Sequence, residues 1–135
     1  MTETTNPSFQ PIPTAIVSRP GIMQQSLRAS LTACSWIAVV ASFGDGLTAL
    51  NQLAHTNPAL LVIDANLLDE EVVALLEGVK LSKPEIRCFV LAHSRLQRRH
   101  LLAEGADAVV LRSGSLSELM DALAKFQDPS WSRDA

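Results

Sequence analysis

The feature that most limits what this chain can become is an alternation. Five short apolar runs, at 14–18, 36–42, 59–64, 87–92 and 108–112, are separated by stretches with helical spacing. The runs have strand length and no in-and-out polar alternation, which is the pattern of parallel strands covered on both faces. Between them, Met23, Leu27 and Leu31 form one stripe and Leu47, Leu50 and Leu53 a second. Val72, Leu75, Leu76 and Val79 form a third, and Leu116, Leu119, Met120 and Leu123 another. The stretch 95–104 carries a weaker stripe of Leu96, Leu101 and Leu102, with Gly105 where a left-handed C-terminal cap belongs. Ser115 followed by Glu118 is a capping box that starts the last helix. Strands alternating with helices through right-handed crossovers give an α/β fold, a doubly wound parallel sheet with helices on both faces.

Length and composition fit one such domain. The chain has 135 residues, 47% hydrophobic and 19% charged, which is a globular balance. A net charge of -3 argues against a domain built around a nucleic-acid backbone, because such domains carry a basic surplus. Cys34 and Cys88 lie in apolar surroundings and read as buried free thiols. Residues 1–13 are polar, carry three prolines and read as a flexible N-terminal tail without the basic and apolar regions of a signal peptide. Residues 127–135 read as a C-terminal tail or linker, with Trp131 either anchoring an output domain or disordered. No apolar run approaches the ~20 residues that span a bilayer. The expectation is a soluble, cytoplasmic domain with no membrane partner.

Doubly wound sheets place their sites beyond the carboxyl ends of the strands. That directs attention to Ser18 and Arg19, to Asp64, to Ala92, His93 and Ser94, and to Arg112. Asp64 closes the run Leu60-Leu-Val-Ile-Asp64. Its placement alone fits a strand-terminating turn cap as well as a site carboxylate. His55 and His93 are isolated and read as surface or loop residues, and Asp45, between Gly44 and Gly46, reads as turn chemistry and helix capping. No glycine-rich phosphate loop follows the first run, and no catalytic triad or metal-spaced His/Cys cluster stands out.

The stretch Pro58-Ala-Leu-Leu-Val-Ile-Asp64-Ala-Asn66-Leu67 resembles the third strand and phosphorylation loop of bacterial two-component response-regulator receiver domains. Gly105-Ala-Asp-Ala-Val-Val-Leu-Arg112 is similar to their fifth strand, which ends in a lysine, and Ala15-Ile-Val-Ser18-Arg19-Pro20 lies where their first strand delivers two acidic residues. The resemblance covers 14–126 and leans toward the receivers of transcription regulators. It implies a flavodoxin-like sheet of order 2-1-3-4-5 with five helices. It also implies a chemistry in which an aspartate takes a phosphoryl group from a phosphohistidine on a partner kinase. Magnesium, held by the acidic pair, the aspartate and a backbone carbonyl, assists, and a hydroxyl after the fourth strand and the lysine bind the phosphoryl oxygens.

Against that pattern the chain keeps Asp64 as the phospho-acceptor-like residue and departs almost everywhere else. Ser18 and Arg19 replace the acidic pair, Ala92 takes the hydroxyl position with Ser94 as a nearby substitute, and Arg112 takes the lysine position. Val109 stands at the aromatic switch position and Leu68 where a proline is common. Arg19 and Arg112 are both expected to aim at Asp64, forming an internal ion pair or triad that fills the space of metal and phosphoryl group. The leading expectation is therefore an atypical receiver, a pseudo-receiver. It would act through protein–protein interaction, with magnesium-dependent phosphorylation impaired or absent, no catalytic residue and no cofactor. The alternative is a working phospho-acceptor, phosphorylated on Asp64 by a histidine kinase with magnesium. A third reading is a small doubly wound ligand-binding domain or enzyme. Arg95, Arg98 and Arg99, with His100, form a basic cluster that reads as a docking face or a solvated helix face. The partners implied are a histidine kinase, an output domain or another regulator. A second copy could also bind across the fourth helix, fifth strand and fifth helix; direct nucleic-acid contact is not expected.

Overall fold

The computed structural model describes residues 10–112 and 117–126. Each apolar run forms a strand and each striped stretch a helix. The order is β1 (Ile12–Val17), α1 (Ile22–Thr32), β2 (Ile37–Phe43), α2 (Gly46–Thr56), β3 (Leu60–Asp64), α3 (Asp69–Ser82), β4 (Arg87–Ala92), α4 (Arg95–Ala103), β5 (Ala108–Leu111) and α5 (Ser117–Phe126). The strands form one parallel sheet, as the apolar pattern predicts, in the order β2-β1-β3-β4-β5 that the receiver resemblance implies.

The missing polar alternation has a direct cause: β3 is buried along its whole length because helices cover both faces. Leu61 and Ile63 face a core shared with α2, α3 and α4, through Leu53, Val72, Leu75, Leu76, Val79 and Leu101. Leu60 and Val62 face the opposite core, with Leu27 and Leu31 of α1 and Leu119 and Leu123 of α5. Successive strand residues point to opposite faces, so one apolar run serves two cores.

Several boundaries and burials differ from the sequence reading. β1 begins at Ile12, two residues inside the expected tail, because the Ile12 N–H donates to the Trp36 carbonyl at 2.8 Å. Pro13 is tolerated there because only its carbonyl is used, accepting from the Ala59 N–H at 2.8 Å. Trp36 itself precedes β2. Leu96 was expected on the buried stripe of α4 but is 75% exposed, since Leu101 alone anchors that short helix. Leu47, in the first turn of α2, is likewise exposed, and Cys34 is half-buried while Cys88 is buried; both thiols are free. Gly105 has φ +113°, and its N–H and that of Ala106 bond the carbonyls of Leu102 and Leu101, which closes α4. Ser115 of the expected capping box, Leu116, Trp131 and the tails at 1–9 and 127–135 lie outside the described residues. Among the described residues no helix is long and apolar enough to cross a membrane.

Candidate functional site

Asp64 is the last residue of β3, paired with Leu91 of β4, and is fully buried. A buried carboxylate needs donors on both oxygens. Oδ1 accepts from the Asn66 N–H of its own turn at 3.2 Å. Oδ2 accepts from Ser18 Oγ at 3.3 Å and from Arg112 Nη2 at 2.5 Å. Both partners are placed by backbone bonds that extend the ladders past the strand ends. The Ser18 N–H donates to Phe43 at 2.9 Å and the Arg112 N–H to Ala92 at 2.8 Å. Arg112 is only 19% exposed, so its contact with Asp64 is a buried, charge-assisted pair. Its Nε is also buried and has no hydrogen-bond partner among the described residues.

Arg19, expected to aim at Asp64 as well, does not join this pair, so of the ion pair or triad expected the structure shows the pair. Its Nε donates to the Asn66 carbonyl at 3.3 Å, and its Nη2 lies 3.8 Å from Glu71 Oε1. Glu71 Oε2 in turn accepts from the Gly46 N–H at 2.7 Å, tying the starts of α2 and α3 together. The physical reason is charge. A second guanidinium beside Arg112 would add a like charge to a dry pocket, whereas on the rim Arg19 keeps 48% of its side chain in water.

The remaining positions fall as follows. Ala92 is fully buried and offers only a methyl group. Ser94, the nearby substitute, has its Oγ capping α4 by accepting from the Gln97 N–H at 3.1 Å, and among the described residues no hydrogen bond joins it to Asp64. Val109 is buried, and its carbonyl accepts from Arg98 Nε at 3.1 Å, so Arg98 is tied to β5 while Arg95 and Arg99 point to solvent. Leu68 is exposed at the N-cap of α3. His55 is exposed in the last turn of α2. Asp45 caps α2 through the Thr48 N–H at 2.7 Å and the Thr48 hydroxyl at 2.9 Å, and these bonds hold its carboxyl below its ordinary 3.8.

His93 lies exposed in the loop after β4, as the sequence reading has it, but its contact and the role of Gln97 were not foreseen. His93 Nε2 lies 3.0 Å from the Ala65 carbonyl. The Gln97 side chain accepts from the His93 N–H at 2.7 Å and donates to Asp69 Oδ1 at 2.8 Å. Together they latch the β4–α4 loop onto the β3–α3 loop. Ser94 with a polar residue three positions later hints at a cap, but no spacing in the sequence points to Ala65 or Asp69.

A hard dication such as magnesium takes about six oxygen ligands and favours carboxylates. These residues do not fit it. The one carboxylate is already bonded by Arg112 and Ser18, and the Asn66 carbonyl beside it is taken by Arg19. Among the described residues no group of three or more His, Cys, Asp or Glu side chains gathers to hold a metal.

No protein-family model matches the chain, and no curated protein does. Solved structures do. The isolated REC domain of RcsB from Salmonella enterica serovar Typhimurium, in the presence of the phosphomimetic BeF3-, superposes with a TM-score of 0.78 at 22% identity, over 89% of this chain and 91% of that one. The signal receiver domain of NarL from Mycobacterium tuberculosis gives 0.77 at 14% identity, over 89% and 98%. The RcsB response regulator of Salmonella typhimurium gives 0.79 at 23% identity over 93% of this chain, which spans 65% of that longer chain. The fold is that of a response-regulator receiver domain.

Proposed function

We propose that this chain is a receiver-type signalling module that works in the cytoplasm by binding a partner protein, and that it does not depend on magnesium-assisted phosphorylation of Asp64. The observation that carries the reading is the Arg112 guanidinium on Asp64 Oδ2. Phosphoryl transfer between anions is mostly positioning and charge neutralisation. It requires a carboxylate oxygen free to attack and a cation held in place to receive the phosphoryl oxygens. Here the oxygen is engaged, its neighbours are a hydroxyl and an arginine where carboxylates would be needed, and the hydroxyl position is a buried methyl. In the family that the chain resembles, the lysine at the position of Arg112 meets the phosphoryl group. In this chain that position holds an arginine bonded to Asp64, while the acidic pair and the hydroxyl that would complete a phosphoryl site are replaced, which supports a domain read by its partner without phosphorylation. That partner is a histidine kinase, an output domain or another regulator, and the module itself carries out no reaction.

Incubation with acetyl phosphate and magnesium tests this. The intact mass should be unchanged and magnesium titration should give no binding heat. Gain of one phosphoryl mass by the wild type, lost in Asp64→Asn, would overturn the reading in favour of a working phospho-acceptor.

A further inference from the structure

α3 and α4 bound the same core and, as crossovers of one parallel sheet, run in the same direction. The Gln97–Asp69 bond joins their starts. Their outward faces carry opposite charges. On α3 the buried Val72, Leu75, Leu76 and Val79 fix the inner side, so Glu70, Ala74, Glu77 and Leu81 form the row facing away, and all four are exposed. On α4 Leu101 faces inward, and Arg95, Leu96, Arg99 and Ala103 are exposed on the far side of a helix with no acidic residue.

Neither row is neutralised from within. Asp69 and Glu71 are engaged by Gln97, Gly46 and Arg19, and Arg98 is engaged by Val109. Glu70, Glu77, Arg95 and Arg99 enter no ion pair among the described residues. Two bare leucines mark opposite ends of the helix pair, Leu81 at 88% exposed in the last turn of α3 and Leu96 at 75% in the first turn of α4.

We propose that this face joins two copies of the chain about a twofold axis, with α3 of one lying antiparallel on α4 of the other. Antiparallel docking sets Leu81 opposite the partner's Leu96. From that contact Glu77 lies about 6 Å back along α3, and the partner's Arg99 about 4.5 Å along α4, so carboxylate and guanidinium come level. The twofold repeats both contacts. A second copy fits better than any singly charged partner, because each copy presents an acidic and a basic row side by side. The contact uses nothing at Asp64 and differs from the fourth-helix, fifth-strand and fifth-helix face that family likeness implies.

Sedimentation of the full chain across a concentration series tests it. The wild type should form a dimer that weakens as salt rises. Arg99→Glu and Glu77→Arg should each weaken self-association by about tenfold or more. The double variant carrying both should restore it, since the swapped charges again meet. Circular dichroism melting at concentrations where the wild type is monomeric, unchanged in these surface variants, separates lost association from lost folding. A chain that stays monomeric at every concentration overturns the proposal, as does a dimer indifferent to both single variants. A dimer broken by Asp121→Arg on α5 and left intact by Arg99→Glu also overturns it.

Discussion

The sheet carries an aspartate–arginine pair at each end, and the two are built differently. At the carboxyl end, Asp64 is fully buried and its guanidinium partner sits at 2.5 Å. At the amino end, Asp107 and Arg87 stand 3.7 Å apart with side chains 9% and 45% exposed, and Asp107 Oδ2 also accepts the Cys88 N–H at 2.8 Å. That end borders a cavity of about 210 Å³ lined by Lys80, Arg87, Cys88 and Asp107 among others. Both carboxylates accept a backbone N–H, but the arginine at the amino end stands nearly half in water whereas the one on Asp64 is largely buried. Burial therefore sets how much each pair matters more than the residue types do.

The difference can be broken first at Arg112. Arg112→Met leaves a buried carboxylate without its countercharge and should cost about 3–5 kcal/mol in denaturant unfolding. A loss near zero would show that Ser18 and the loop amide suffice, and the two ends would then be equivalent. The amino end can be sharpened through Cys88, whose thiol is pushed up from 9.0 to about 12, by burial first and by the Asp107 charge second. The folded state holds that proton to higher pH than the unfolded chain does. Its contribution is therefore complete below pH 9.0 and drains away as pH rises from 9.0 toward 12. Stability curves of the wild type and Cys88→Ala, compared over that range, should differ by this slope; parallel curves would remove the thiol from the account. The smallest effect belongs to Arg87→Ala, expected to cost about 0–1 kcal/mol because the pair is half in water. A cost matching that of Arg112→Met would erase the contrast.

What the sequence disclosed follows the same division between backbone and side chain. The strands, and the placement of Asp64 and Arg112 at their ends, were legible because apolar runs end where their ladders end, and a residue one step beyond a strand inherits its direction; the order of the strands came from the resemblance to receiver domains. Arg19 was misplaced because its long side chain leaves the strand end through a turn. Its choice between Asp64 and the Asn66 carbonyl depends on like-charge repulsion inside a finished pocket. The cap that Ser94 supplies to α4 was not read from the sequence, because it depends on where that helix starts. Leu96 was counted on the stripe although it stands five residues before Leu101, a spacing that turns it about 140° round the helix and away from the one buried anchor. The Gln97 and His93 ties join segments 28 residues apart and leave no periodic trace.

The arginine that bonds Val109 has an effect beyond its own helix. Among the described residues β5 ends the sheet with β4 as its only strand neighbour, so its far side is the natural place for a foreign strand to add on. At four residues that strand offers a short template, and the carbonyl of Val109 is already spent on Arg98. An incoming chain would have to displace a guanidinium before it could extend the sheet. Clumping by strand addition is thus discouraged at this margin, even at concentrations where helix faces meet.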